Sequence, residues 1–414
     1  MKVRPKQKIV MKFLSTILLY TLSLSAFSQV VQRTYPVSDD QASVLIKKVL
    51  KVSPVVDGHN DLFIHYFDCK SCPRGLTDYR IDTLNSGHTD IPRMRKGGVG
   101  GLLLNIFGRE RTEQSYMEAW TLLRQIEKDY GSDLKIVKSS SEMKSAFKEG
   151  KIALLPSLEG AVRLGENLEL INKYYNLGLR SVTFAYSTNL LADGSDDTTK
   201  YNGISTFGKE MVAEMNKLGV LIDMSHISAK AMDDILATSK APVIFSHSNA
   251  RTLCDVNRNV PDSILKKLKE NRGMIMLTFV PYFVKKEHMQ WLDEGDALYY
   301  KTLNDYPDDS LKMESIMTRW ENSEPMVTVA DMADHFDYVK KLIGVDHIGM
   351  AGDYDGIQFT IKGLEDVSCY PNLLEELAKR GWKEDELRKI TSENFLRVFK
   401  EVEKQAFAIQ KTKP

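Results

Sequence analysis

Eight short apolar runs, amphipathic helical segments between them, and histidine or acidic residues closing five of the runs predict an α/β fold, a (β/α)8 TIM-like barrel. The runs are "PVVDGH" (54–59), "VGGLLLNIF" (99–107), "KIALLPSLEG" (151–160), "LRSVTFAY" (179–186), "GVLIDMSH" (219–226), "PVIFSHS" (242–248), "GMIMLTF" (273–279) and "HIGMAGDYDG" (347–356). Stretches such as "NLELINKYYNLG" and "FGKEMVAEMNKLG" separate them, with apolar residues at helical spacing and a glycine where a helix C-terminus falls. After the seventh run the rhythm breaks. Residues 281–325 read as a helical insertion, either a solvated surface excursion or a lid or subunit contact. The last stretch, "LLEELAKRGWKEDELRKITSENFLRVFKEVEKQ", reads as C-terminal helices expected on the barrel exterior.

Lys2, Arg4, Lys6, Lys8 and Lys12 precede the apolar stretch "FLSTILLYTLSLSAF", and small residues follow at Ala26 and Ser28. That pattern predicts a signal peptide over 1–28, with 29–414 as a single barrel domain, exported to the periplasm or secreted. The apolar stretch is too short for a stable membrane span. Basic and acidic residues number 56 each, so the formal net charge of zero argues for no nucleic acid partner and for a small ligand. Four cysteines in a chain of 414 residues do not make a disulfide scaffold. Cys69 and Cys72 either bridge locally or lie in a loop, and the sequence does not pair Cys254 with Cys369.

The chemistry stands at the ends of the runs. His59 and Asp61 close the first, Glu159 the third, His226 the fifth, His247 the sixth, and Asp353 with Asp355 the eighth. In a (β/α)8 barrel those ends meet at one mouth. Alternation puts His59 and Asp61 on one face, where both can bind one cation, while His226 and His247 are one βα unit apart. Imidazoles with carboxylates suit Zn2+, and Glu159 between two histidine-bearing groups is placed to bridge two ions per chain. Such a pair, roughly 3.5–4 Å apart, would turn a shared water into hydroxide and polarise a carbonyl, which is hydrolysis of an amide or ester. Three of the eight histidines sit at run ends; His65, His88, His288, His335 and His347 do not, and are read as structural. Asp57 is read as bracing the first strand turn and Asp355 as orienting its loop.

At these residues the chain resembles the membrane dipeptidase (renal dipeptidase) family of zinc metallopeptidases. The resemblance covers roughly residues 50 to 402 and runs through "DGHND", "TDIPRMRKGGVGG", "SLEG", "LGLRSVTFAYSTN", "GKEMVAEMNKLGVLIDMSHIS", "PVIFSHSNAR", "RNVPD", "IGMAGDYDG" and "GLEDVSCYPNLLEEL". It implies a binuclear zinc centre, with His59 and Asp61 on one ion, His226 and His247 on the other, and Glu159 bridging. It further implies that Asp353 shuttles the proton from the bridging water to the leaving amine, and that Arg258 of "RNVPD" pairs with the substrate's C-terminal carboxylate. Relatives are often dimers, so a homodimer is expected by analogy alone.

One departure stands out. Where the family often has "THS", this chain has "AYS", so Tyr186 replaces a histidine that hydrogen-bonds the developing oxyanion. Its phenol either donates the same bond or narrows the pocket. "GAV" after Glu159 and "LLLN" after "VGG" also change the lining. The expected function is a zinc dipeptidase acting on dipeptides, including those with a C-terminal D-residue. The competing readings are a barrel metallohydrolase acting on a lactone, lactam or N-acyl amino acid, and a binding protein on a lapsed enzyme scaffold.

Overall fold

A computed structural model describes residues 35–67, 79–108, 112–165 and 167–412; the 1–28 segment, Cys69 and Cys72 lie outside them. Nine strands follow in chain order: β1 (Val55–Asn60), β2 (Val99–Asn105), β3 (Leu134–Ile136), β4 (Ile152–Leu158), β5 (Ser181–Thr183), β6 (Leu221–Asp223), β7 (Ile244–Phe245), β8 (Met274–Thr278) and β9 (Ile348–Ala351). Every ladder is parallel. Pairing of β2 with β4 closes the sheet, so eight strands form a TIM-like barrel. The ninth, β3, was not among the apolar runs. It pairs with the lower half of β4 at Ile152 to Leu154, while β5 takes the upper half at Ser157 and Leu158.

Several apolar runs are longer than the strands they form. The run 219–226 contributes only Leu221–Asp223 to the sheet, and 242–248 only Ile244–Phe245. Beyond those points a side chain replaces the ladder: Asp223 Oδ1 accepts the backbone N–H of Ser225 at 3.0 Å and of Ser246 at 2.8 Å. The strand ends are therefore free to turn their side chains toward the barrel mouth.

The flanking helices form where serine or threonine can cap them. Ser205 accepts from Gly208 N–H and opens Thr206–Leu218, which buries Met211, Val212 and Met215 on one face and stops at Gly219, where φ is 83°. Three helices, Pro281–Val284, Lys286–Asp305 and Ser310–Glu321, fill the insertion after the seventh barrel strand, β8. Trp291 and Trp320 stack at 4.1 Å across this hairpin, and each indole N–H donates to the other residue's backbone carbonyl. Phe359, in the loop after β9, packs edge-on to Trp291, so the insertion docks on a mouth loop.

The last helix, Asn394–Lys411, lies on the outside of the barrel, across its lower opening. Its Phe395, Val398, Phe399 and Val402 join the cluster containing Val56, Leu221, Ile244 and Met274 from the strands. Polar side chains along it bond to segments that precede strands: Asn394 to Val345 O and Ile348 O, Arg397 to Arg272 O, Gln405 to Lys240 O. The helix thus covers the bottom of the barrel. The physical reason is that strands of this length leave apolar side chains uncovered at the lower opening, and an amphipathic helix removes them from water.

Candidate metal centre and active site

β1 delivers His59, and Asp61 follows it directly. Asp57, one turn of the strand earlier, accepts from the N–H of His59 at 3.2 Å and of Gly352 at 2.8 Å. It ties β1 to the end of β9, the bracing role read from the sequence. Gly58 lets β1 run close to β7: a Cβ there would stand 2.3 Å from Ser246 O and 2.8 Å from Met276 Sδ.

The five expected ligands come together. Glu159 Oε1 lies 2.8 Å from His226 Nε2, 3.3 Å from His247 Nε2 and 3.8 Å from His59 Nε2. On the other side of His59, its Nε2 is 3.4 Å from Asp61 Oδ2 and 4.0 Å from Asp353 Oδ1. His226 and His247 face each other with Nε2 atoms 2.9 Å apart. Two overlapping donor groups result, His59 with Glu159 and His247, and His59 with Asp61 and Asp353.

The residues fit a metal. His59 Nε2 is buried and has no hydrogen-bond partner, although carboxylates surround it. Burial pulls the His59 pKa down, but Asp61 and Glu159 outweigh it and hold it well above the usual value, so the pocket stabilises positive charge at that point. Burial would raise Glu159, yet His59 and His226 carry it well below the usual carboxylate range. Burial, then the neighbouring His59, keeps His247 well below an ordinary histidine, while burial and Arg258 lower His226. Both imidazoles are thereby kept neutral, the form that donates a lone pair to a metal.

The tautomer of His247 follows from its surroundings. Ser246 Oγ donates to Asp223 Oδ2 at 2.6 Å and so accepts from His247 Nδ1 at 2.7 Å. With its proton on Nδ1, His247 presents a free Nε2 to the site. Asp223 is the last residue of β6, three before His226, and a rule that also looked at the last residue of each strand would have found it. Asn105, the last residue of β2, sits between Asp61 and Glu159 for the same reason.

Three non-glycine residues at the mouth adopt left-handed backbone angles: His226 (φ 71°), Asp353 (φ 55°) and Asp355 (φ 69°). Such angles cost energy and concentrate where a side chain must be aimed. Asp355 Oδ1 accepts from His65 Nε2 at 2.9 Å and from His88 N–H at 2.6 Å, which orients the loop. Asp353 points at His59. Burial pushes its pKa up to about 7, with Asp61 and Glu159 adding to the rise and His59 and Arg258 opposing it.

Arg258 is buried beside the centre. Its Nη1 donates to Ser248 Oγ and its Nη2 to His247 O, both at 3.4 Å, and its guanidinium lies 5.1 Å from the Phe283 ring centroid. Those bonds use two of five N–H groups. Tyr186 stands at the rim, 43% exposed, with its ring 4.6 Å from that of His226. Desolvation at the wall and the Glu159 carboxylate raise its phenol above the usual value, so it is a neutral donor. Cys254 and Cys369 are free thiols.

The chain is similar to the probable dipeptidase PvdM from Pseudomonas aeruginosa, at 26% identity over 90% of this chain and 100% of that one, with a TM-score of 0.77. An amidohydrolase from Pseudomonas aeruginosa shares the fold at 23% identity and TM-score 0.67, over 86% of this chain and 98% of that one. So does a metallo peptidase from Rhodobacter sphaeroides liganded with a phosphinate mimic of the dipeptide L-Ala-D-Ala, at 23% identity and TM-score 0.66 over 85% and 99%. The model of the membrane dipeptidase family (peptidase family M19) matches residues 44–413, from before β1 to past the helix that closes the barrel. The chain therefore belongs to the membrane dipeptidase family of metallopeptidases, hydrolases that act on peptide bonds.

Proposed function

We propose that the protein is a zinc dipeptidase with two ions per chain, His59 and Asp61 holding one, His226 and His247 the other, and Glu159 shared between them. The observation that carries this reading is Glu159 Oε1, within 4 Å of three imidazole nitrogens on three different strands' ends. Two divalent ions held by these residues would acidify a nucleophilic water and polarise a carbonyl. The chain's own residues do the rest. Arg258 offers its remaining N–H groups to the C-terminal carboxylate of a dipeptide, a planar fork for a planar anion. Asp353 Oδ1, turned to the same pocket, takes the proton from the attacking water and returns it to the leaving amine. Tyr186 donates its phenol proton toward the developing oxyanion from the rim.

The dipeptides include those with a C-terminal D-residue; the phosphinate mimic of L-Ala-D-Ala in the Rhodobacter sphaeroides protein supports that extension. The basic and apolar pattern of residues 1–28 supports export to the periplasm or beyond. Steady-state kinetics on L-L and L-D dipeptides, beside N-acyl amino acids, test the reading. Turnover of dipeptides is expected. Turnover of N-acyl amino acids alone would move the activity to another amide class.

A further inference from the structure

Asn105 is buried at the end of β2, 4% exposed, and its single amide makes three hydrogen bonds inside the centre. Its Oδ1 accepts the backbone N–H of Glu159 at 3.0 Å. Its Nδ2 donates to Asp61 Oδ1 at 2.8 Å and to Glu159 Oε2 at 3.2 Å. The orientation of the amide is fixed by chemistry, because two carboxylates can only accept and a backbone N–H can only donate.

These bonds divide the oxygens of both acids. For Asp61, Oδ1 is tied to Asn105 and Oδ2 is left facing His59 Nε2. For Glu159, Oε2 is tied to Asn105 and Oε1 is left facing the three imidazoles. Two like charges that would otherwise repel and rotate are pinned to one donor, with one oxygen each aimed inward.

We propose that Asn105 is a positioning residue that presets Asp61 and Glu159 for the metal pair, linking the ligand of one ion to the carboxylate shared by both. The inference rests on the metal centre proposed above. It concerns a residue outside the five proposed ligands, whose amide is engaged by Asp61 and Glu159. Hydrogen-bonding partners behind metal ligands are worth about 10- to 100-fold in metal affinity.

The test is a cobalt titration of chelator-stripped protein, wild type beside Asn105→Val and Asn105→Ala, followed by visible absorption and by thermal unfolding with and without the ion. Valine is near in size and removes all three bonds; alanine removes the same bonds and adds no volume, and unfolding without the ion shows which variant keeps the fold. The expected result is a weaker-site dissociation constant raised about 10- to 100-fold in both variants, with altered cobalt bands and a smaller metal-induced rise in Tm. Titrations and spectra that superimpose on those of a cobalt-binding wild type overturn the positioning role alone. A wild type that takes up no cobalt overturns the metal centre, and this role with it.

Discussion

Asp353 is held in the left-handed region, where asparagine is nearly as well tolerated as aspartate. Asp353→Asn therefore keeps the backbone and removes only the group that carries the proton. We expect kcat/KM to fall about 10²- to 10⁴-fold while elemental analysis finds unchanged metal content. Ser246→Ala acts differently. It takes away the acceptor of His247 Nδ1 and one donor of Asp223, so metal affinity should drop about 10- to 100-fold, read by competition with a chelator. Tyr186→His restores the residue the family often carries; a changed ratio of L-L to L-D turnover is expected, and an unchanged ratio would assign the ring to packing against His226. At this scale the sequence was most legible where a residue type has ligand chemistry. His59, Glu159, His226 and His247 announced themselves at strand ends. Asn105 did not, since it lies inside the run 99–107 and an asparagine there is chemically silent until its three partners are known.

The strands follow a similar logic. Alternation and apolar content revealed eight of them, but their upper boundaries were hidden, because the Asp223 carboxylate rather than a neighbouring backbone satisfies the N–H groups of Ser225 and Ser246. The short β3 was hidden too: Leu134–Ile136 carries Lys135 in the middle and pairs along half of one strand. Gly58 shows how closely two elements are set. Its α-hydrogen faces a backbone carbonyl of the segment after β7, and that oxygen cannot swing aside as a side-chain tip can. Gly58→Ala should therefore push β1 away from β7 and destabilise the fold by about 1–3 kcal/mol, measured by urea unfolding. Because His59 follows Gly58 directly, the same variant should hold metal less tightly. An alanine variant as stable as wild type would mean that the strand can shift without cost.

Across the whole molecule, function gathers at the upper mouth and stability at the lower one, where Asn394–Lys411 closes the interior. His335 is buried behind the mouth and sets a pH dependence of its own. Its Nδ1 accepts the N–H of Ala250 at 3.3 Å, and its Nε2 donates to Val284 O at 3.1 Å, so it joins the segment after β7, the start of the insertion and helix Val329–Ile343. The first bond requires the neutral ring, because a protonated Nδ1 cannot accept, whereas Nε2–H donates in either state. Burial depresses its pKa from 6.5 to about 4, against the weaker pull of the Val284 carbonyl and of Asp334 and Asp331. Between those values the unfolded chain binds the proton and the folded one does not. The stabilisation is thus complete above pH 6.5 and is lost as pH falls toward 4, about 3 kcal/mol in all. His88, His288 and His347 are depressed by burial in the same direction, so wild type should lose stability steeply on acidification. His335→Asn keeps an acceptor for Ala250 and cannot titrate. Urea unfolding from pH 7.5 to 4.5 should show a shallower slope for this variant, by up to one proton, with the two stabilities converging toward the acid end. Parallel curves would place the acid sensitivity in the other histidines.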